Sequence, residues 1–149
     1  MYYEDFKVGD RFVTPSRTVT EADIVNFAGI SGDFYYLHTD EEKARRSMYG
    51  GRIAHGMLVV SMVTGLWFRL GIFNDSIIAF YGIDRLRFTA PVRPGDTIKA
   101  VLTVVDKTEK ELGGLVTFKN EVLNQRERLV AVFDAKLLVK YRRRAEKES

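Results

Sequence analysis

Hydrophobic and polar positions along this chain follow two regimes that change at Gly71. Before it, apolar residues recur at helical spacing; after it, they alternate as in strands. Ile24, Phe27 and Ala28 share one face of a helix expected over Thr20–Ala28, with Thr20 as N-cap and Asp23 in the capping-box position. Gly29 and Gly32 are expected to end it. Asp40 to Arg46 reads as a short exposed helix, acids leading and bases following, with Thr39 as its cap. Met57 to Leu70 is apolar nearly all round, which predicts a helix buried on every side. Trp67 and Phe68 are expected to supply much of its buried area, with Gly65 packed closely on a sheet and Gly71 as its stop.

The alternating segments predict four long strands, Ile77–Phe88, Thr97–Lys107, Leu115–Asn124 and Arg128–Tyr141, and a short one at Arg11–Val13. Pro91-Val92-Arg93-Pro94-Gly95-Asp96 and Gly113-Gly114 are turns. The order of elements predicts an α+β fold in which an antiparallel meander wraps around one buried helix. Such a sheet leaves open edges. Pairing of edges across a two-fold axis predicts a homodimer, or a higher assembly.

Composition narrows the class. A length of 149 residues fits a single domain over 1–149, with a core at about 5–140 and a basic frayed tail at 141–149. The chain has no cysteine, which excludes a disulfide scaffold, a cysteine–zinc site and a cysteine nucleophile. Much of the net charge of +3 sits in Lys140-Tyr141-Arg142-Arg143-Arg144, so no nucleic-acid partner is expected. The longest apolar run, Met57 to Phe68, falls short of the roughly 20 residues that span a bilayer. The first residues carry no basic-then-apolar signal, so a cytoplasmic location without membrane contact is the expectation.

Candidate chemistry concentrates between Ser31 and Ser61, the stretch that holds both histidines. Asp33 and His38 lie five apart, the wrong spacing for one helix face but compatible with convergence in a compact loop. A carboxylate and an imidazole on one water can take a proton from it and deliver a proton to a substrate. Which is acid and which is base stays open, since the pair can titrate as a unit. Gly56 precedes the long helix, whose first N–H groups lack internal partners, and can offer an N–H to a developing oxyanion. Ser61 can bond either the carbonyl four residues back or the Asp33–His38 loop. His55 is read as a hydrogen-bonded residue that shapes the start of the helix. With no cysteine, no His-Glu-x-x-His and one other histidine, no metal site is expected.

Ser31, Gly32, Asp33, Leu37 and His38, then Gly51, Ile53, His55, Gly56, Met57, Leu58 and Ser61, together resemble the MaoC-like dehydratases, the (R)-specific enoyl-CoA hydratases of hot-dog fold. Thr18–Ile24 and Phe88–Asp96 resemble the family's opening helix and its turn after a long strand. The resemblance covers roughly residues 5 to 140. It implies a hydratase/dehydratase that adds water to trans-2-enoyl thioesters, or removes it from (R)-3-hydroxyacyl thioesters. Asp33 and His38 are then the catalytic pair, the Gly56 N–H the oxyanion donor and Ser61 a support of the loop. Coenzyme A enters only as part of the substrate, with an acyl-carrier protein as the other possible carrier, and no cofactor is implied. The family's Asn-Pro is Tyr35-Tyr36 here, which alters the loop. Two other readings stay open: a thioesterase of the same fold, against which stands the absence of a carboxylate from Met57–Leu70, and an acyl-thioester-binding or regulatory protein with a silent site. Arg85, Arg87, Arg93 and Lys99 are possible phosphate contacts, though exposed strand faces carry such residues anyway.

Overall fold

The structure is a computed structural model and describes residues 1–143. A 3-10 turn at Tyr3–Asp5 leads into two short strands, β1 (Arg11–Val13) and β2 (Arg17–Thr18). Four helices follow: α1 (Glu21–Ser31), α2 (Tyr36–Thr39), α3 (Glu41–Arg45) and α4 (Gly56–Phe68). The long strands are β3 (Ile77–Phe88), β4 (Thr97–Glu109), β5 (Gly114–Leu123) and β6 (Leu129–Val139). One antiparallel sheet has the order β1-β4-β5-β6-β3, with β2 also pairing β4.

The inner face of the sheet is the alternating face expected from sequence. Ile98, Ala100, Leu102 and Val104 of β4, Val116, Phe118 and Val122 of β5, and Phe133, Ala135 and Leu137 of β6 are all buried. They pack with Leu58, Val59, Met62, Val63 and Trp67 of α4 in one core. Asn120 is the polar member of that face, and it is fully buried. Its carboxamide accepts from Trp67 Nε1 at 2.7 Å and donates to the Phe118 carbonyl at 3.1 Å. The indole N–H on α4 therefore has its partner on β5, which fixes helix against sheet.

Two expectations need correction. The long strands are not a simple meander, because β3 pairs with β6 and not with its successor β4. The connection carries Pro91 and Pro94, and its backbone bonds elsewhere: Ala54 N–H to Val92 O at 2.7 Å and Val19 N–H to Asp96 O at 2.7 Å. The chain thus leaves β3 across the start of α4 rather than turning back as a hairpin. Second, α4 is not buried all round. Met57, Ser61, Gly65 and Phe68 form an exposed stripe, and Phe68 is half exposed. A Cβ on Gly65 would meet no atom within 4 Å, so no sheet packs there. The open edge that was expected is present: among the described residues β3 ends the sheet and carries the exposed Ile78, Phe80, Tyr81 and Phe88.

Local signals set the ends of the elements. Thr20 accepts from Asp23 N–H at 3.1 Å and Asp23 accepts from Thr20 N–H at 2.9 Å, closing the expected capping box. Helix α1 runs through Gly29 and ends at Gly32, whose φ of +76° is the left-handed cap that glycine favours. Asp40, not Thr39, caps α3, accepting from Lys43 N–H at 3.0 Å. At the far end, Tyr141 donates to the Lys110 carbonyl at 2.7 Å and Arg142 pairs with Asp5. The first residues of the expected frayed tail are therefore tied down, and 144–149 lie outside the described residues.

Candidate active site

The loop between α1 and α3 folds as one further short turn of helix, α2. Asp33 opens it by accepting from Tyr35 N–H through Oδ1 at 3.2 Å, the bond of a turn built on an aspartate side chain. Tyr35 and Tyr36 occupy the N-cap and first positions of α2, where an Asn cap and a Pro would be favoured. The turn forms without them. Thr39 donates to the Phe34 carbonyl at 2.8 Å, and Lys43 Nζ lies 4.3 Å from the centre of the Tyr36 ring. Neither tyrosine lines the cleft described below.

Leu37 and Ile53 then join two segments, with Ile53 N–H bonded to the Leu37 carbonyl at 3.0 Å. The Ile53 carbonyl lies 2.8 Å from His38 Nδ1. A carbonyl only accepts, so Nδ1 carries a proton and Nε2 is the nitrogen that faces outward. Asp33 Oδ2 stands 4.0 Å from that Nε2, with the histidine side chain 12% and the aspartate 50% exposed. Arg52 clamps this assembly from outside. It bonds Glu41 of α3 and Glu21 of α1, so both helices flanking the loop are held to the segment that carries Ile53. The hydrogen bonds that it donates to Glu21 and then Glu41 push the guanidinium further toward its protonated form.

His38 and Asp33 open onto a cleft of about 480 Å³ with mostly apolar walls, among them Tyr49, Val59, Phe88 and Val130. Asp33 is the one carboxylate among its lining residues. Gly56, the first residue of α4, lines it too, and a Cβ there would lie 2.6 Å from the Phe88 ring. Glycine thus lets the start of a thirteen-residue helix approach both that ring and the cleft. The Tyr49 carbonyl is held by Arg93 Nη2.

The structure brings together Asp33, His38 and Gly56 as expected, and it moves Ser61 elsewhere. The Ser61 hydroxyl donates to the Met57 carbonyl four residues back at 2.7 Å, on the exposed stripe of α4. It makes no bond to the loop, so the loop-supporting role expected of it is not seen. Of the possible phosphate contacts, Arg85 pairs with Asp134 at 3.5 Å and Lys99 with Glu127 at 2.9 Å. Arg87 donates to the Leu86 carbonyl at 2.8 Å, and none of the four lines the cleft.

Sequence spacing missed the partner of His38. His55 stacks on it, ring centres 3.8 Å apart and planes 24° from parallel. Donor atoms of Asp33, His38 and His55 lie within 4.8 Å of one another, a grouping that could hold a metal ion. The ring geometry does not suit one. Imidazole lone pairs lie in their ring planes, and two stacked planes do not meet where an ion would bind both.

Comparison with known proteins gives the family. The MaoC-like domain matches residues 5–126. The chain belongs to that family. It is 48% identical over 109 residues to Protein MaoC of Klebsiella aerogenes, covering 73% of this chain but only 32% of that protein. It is 39% identical over 103 residues to the (R)-specific enoyl-CoA hydratase of Rhodospirillum rubrum, covering 69% of each. Among solved structures, a monoamine oxidase regulatory protein from Archaeoglobus superposes with a TM-score of 0.87 at 42% identity, covering 95% of each chain. The sheet wrapped on one helix is the hot-dog fold, and the MaoC-like family's hydratase and dehydratase members make hydro-lyase chemistry its general role. No helix among the described residues is long and apolar enough to cross a membrane.

Proposed function

We propose that this protein hydrates trans-2-enoyl thioesters to (R)-3-hydroxyacyl thioesters, or runs the reverse dehydration, with Asp33 and His38 as the catalytic pair. The carrying observation is the 4.0 Å separation of His38 Nε2 and Asp33 Oδ2 at an apolar cleft beside the start of α4. An oxygen about 2.8 Å from both atoms satisfies ordinary hydrogen-bond lengths, so one water can donate a proton toward each. As the water oxygen bonds to C3, the pair accepts one of its protons and a proton is returned to C2. The π electrons of the double bond pass through C2 and the thioester carbonyl, whose oxygen carries negative charge until that return. The Gly56 N–H, at the positive end of α4, is the donor suited to that oxygen. The identity to an enzyme named as an (R)-specific enoyl-CoA hydratase supports the same reading.

The reaction moves protons and one water, so coenzyme A, or an acyl-carrier protein, enters as the carrier of the substrate and no cofactor is invoked. A cytoplasmic setting goes with such a substrate. The free edge β3, the exposed Ile78, Phe80 and Tyr81, and the exposed stripe of α4 together offer the surface for a homodimer, with a higher assembly beyond it.

The name of one similar solved structure, the monoamine oxidase regulatory protein from Archaeoglobus, favours a second reading, a regulatory or thioester-binding protein with a silent site. One assay separates the two. Ultraviolet absorbance of the conjugated thioester is followed with crotonyl-CoA and a longer trans-2-enoyl-CoA, alongside free thiol release. Hydration predicts loss of absorbance without thiol. Asp33→Asn and His38→Ala should each lower kcat by at least about a hundredfold in a folded protein. Near-parent turnover in either variant removes that residue from the mechanism, and no turnover with any chain length favours the silent site.

A further inference from the structure

His55 sits at the junction of every part of the site and is buried. Its Nε2 lies 3.0 Å from the main-chain carbonyl of Asp33. That oxygen can only accept, so Nε2 carries the proton and Nδ1 is the bare nitrogen. Nδ1 has no hydrogen-bond partner among the described residues. One face of the ring lies against His38, and Phe27 of α1 approaches at 5.0 Å with its plane 64° away. The backbone of His55 is also the N-cap of α4, immediately before Gly56, and its carbonyl accepts from Val59 N–H at 3.3 Å.

We propose that His55 is a positioning residue for the hydration step: one imidazole sets the carbonyl of Asp33, the ring of His38 and the N–H of Gly56 relative to each other. This inference rests on the reading of the site given under Proposed function. The residue type follows from the two tasks. A phenyl ring supplies the flat face but no donor, and a carboxamide supplies the donor but no face. Imidazole supplies both, at the cost of a buried nitrogen left without a partner.

The test uses the 149-residue chain, two substitutions and one spectroscopic measurement. His55→Phe keeps the face and loses the donor to Asp33. Its kcat for crotonyl-CoA should fall about a hundredfold, the scale of an ångström-sized misplacement, while KM stays within about threefold. His55→Gln, whose carboxamide reaches the Asp33 carbonyl, should recover part of that loss. A fall of less than about tenfold in folded His55→Phe overturns the inference. The chain has only two histidines, so long-range proton–nitrogen spectra of the unsubstituted protein report each ring and do not depend on a variant folding. Of the two neutral tautomers, His55 should show Nε2–H, the one that donates to the Asp33 carbonyl. An Nδ1–H tautomer overturns the inference. An inactive parent with the expected tautomer would instead count against the hydration reading alone.

Discussion

Substitution of Gly56 by alanine probes the start of α4 most directly. An added Cβ would lie 2.6, 2.8 and 2.9 Å from three atoms of the Phe88 ring. Non-bonded carbons rest at about 3.5–4.0 Å, so the ring must retreat by roughly 1 Å. Phe88 is 51% exposed at the free edge and can swing outward. The overpacking penalty then falls at the low end of its range, about 1 kcal/mol. Part of it is offset, because alanine gains up to about 1 kcal/mol over glycine in a helix. The net change in stability should stay under about 1 kcal/mol, or a shift in Tm of roughly 4 °C or less. Activity should respond far more, because Gly56 and Phe88 both line the cleft. A 1 Å displacement of groups that position substrate can cost about a hundredfold, and kcat/KM for crotonyl-CoA should fall on that scale. Calorimetry and steady-state hydration rates on the same preparation give both quantities. Adding Phe88→Leu removes the clash. A rate that recovers in the double variant assigns the loss to the displaced ring; one that stays low assigns it to obstruction of the Gly56 N–H. A folded Gly56→Ala protein with kcat/KM within about threefold of the parent would refute the close approach on which the proposed oxyanion site depends.

Other expectations follow from specific contacts. Replacing Asn120 by leucine strands the buried Trp67 N–H and should destabilise by about 1–3 kcal/mol, read by denaturant melts; no loss would mean that the indole finds another acceptor. Burial raises the Asp23 pKa, but hydrogen bonds from Thr20 and the pairing with Arg17 outweigh it and hold it below the ordinary carboxylate range. Its contribution is therefore present above the unfolded carboxylate pKa and is lost as pH falls through the lowered folded value. The stability gap between parent and Asp23→Ala should be about 1 kcal/mol at neutral pH and should narrow in acid, whereas a gap independent of pH would contradict the ionised cap. Tyr81→Glu on the free edge should shift light-scattering mass toward the monomer, and an unchanged mass would place the interface elsewhere.

The sequence by itself determined the local elements and the chemical inventory of this protein. The helices around Thr20–Ala28 and Met57–Leu70 and the four long strands were legible because apolar period, caps and turn residues act over a few neighbours. The Thr20–Asp23 box and the glycine stop at Gly32 are of this kind. Asp33, His38 and Gly56 were legible as candidates through a motif confined to one stretch, and the structure places all three at one cleft. Their roles rest on the proposed chemistry.

Tertiary structure alone decided what depends on elements distant in the chain. The pairing of β3 with β6 is set by where the 89–96 connection finds its hydrogen bonds, at Ala54 and Val19, and strand pattern carries no record of that. The exposed stripe on α4 has the same origin. Met57, Gly65 and Phe68 look like core because apolarity gives no direction, and only the placement of the sheet shows which side of the helix it leaves uncovered. Ser61 falls on that side and bonds within its own helix. Asn120 reads as an ordinary polar residue until Trp67 is set opposite it from 53 positions away. His55 is the clearest case. Its partners, Asp33 and His38, lie 22 and 17 residues back, and no local rule predicts that two imidazoles will stack when loop and helix start are brought together.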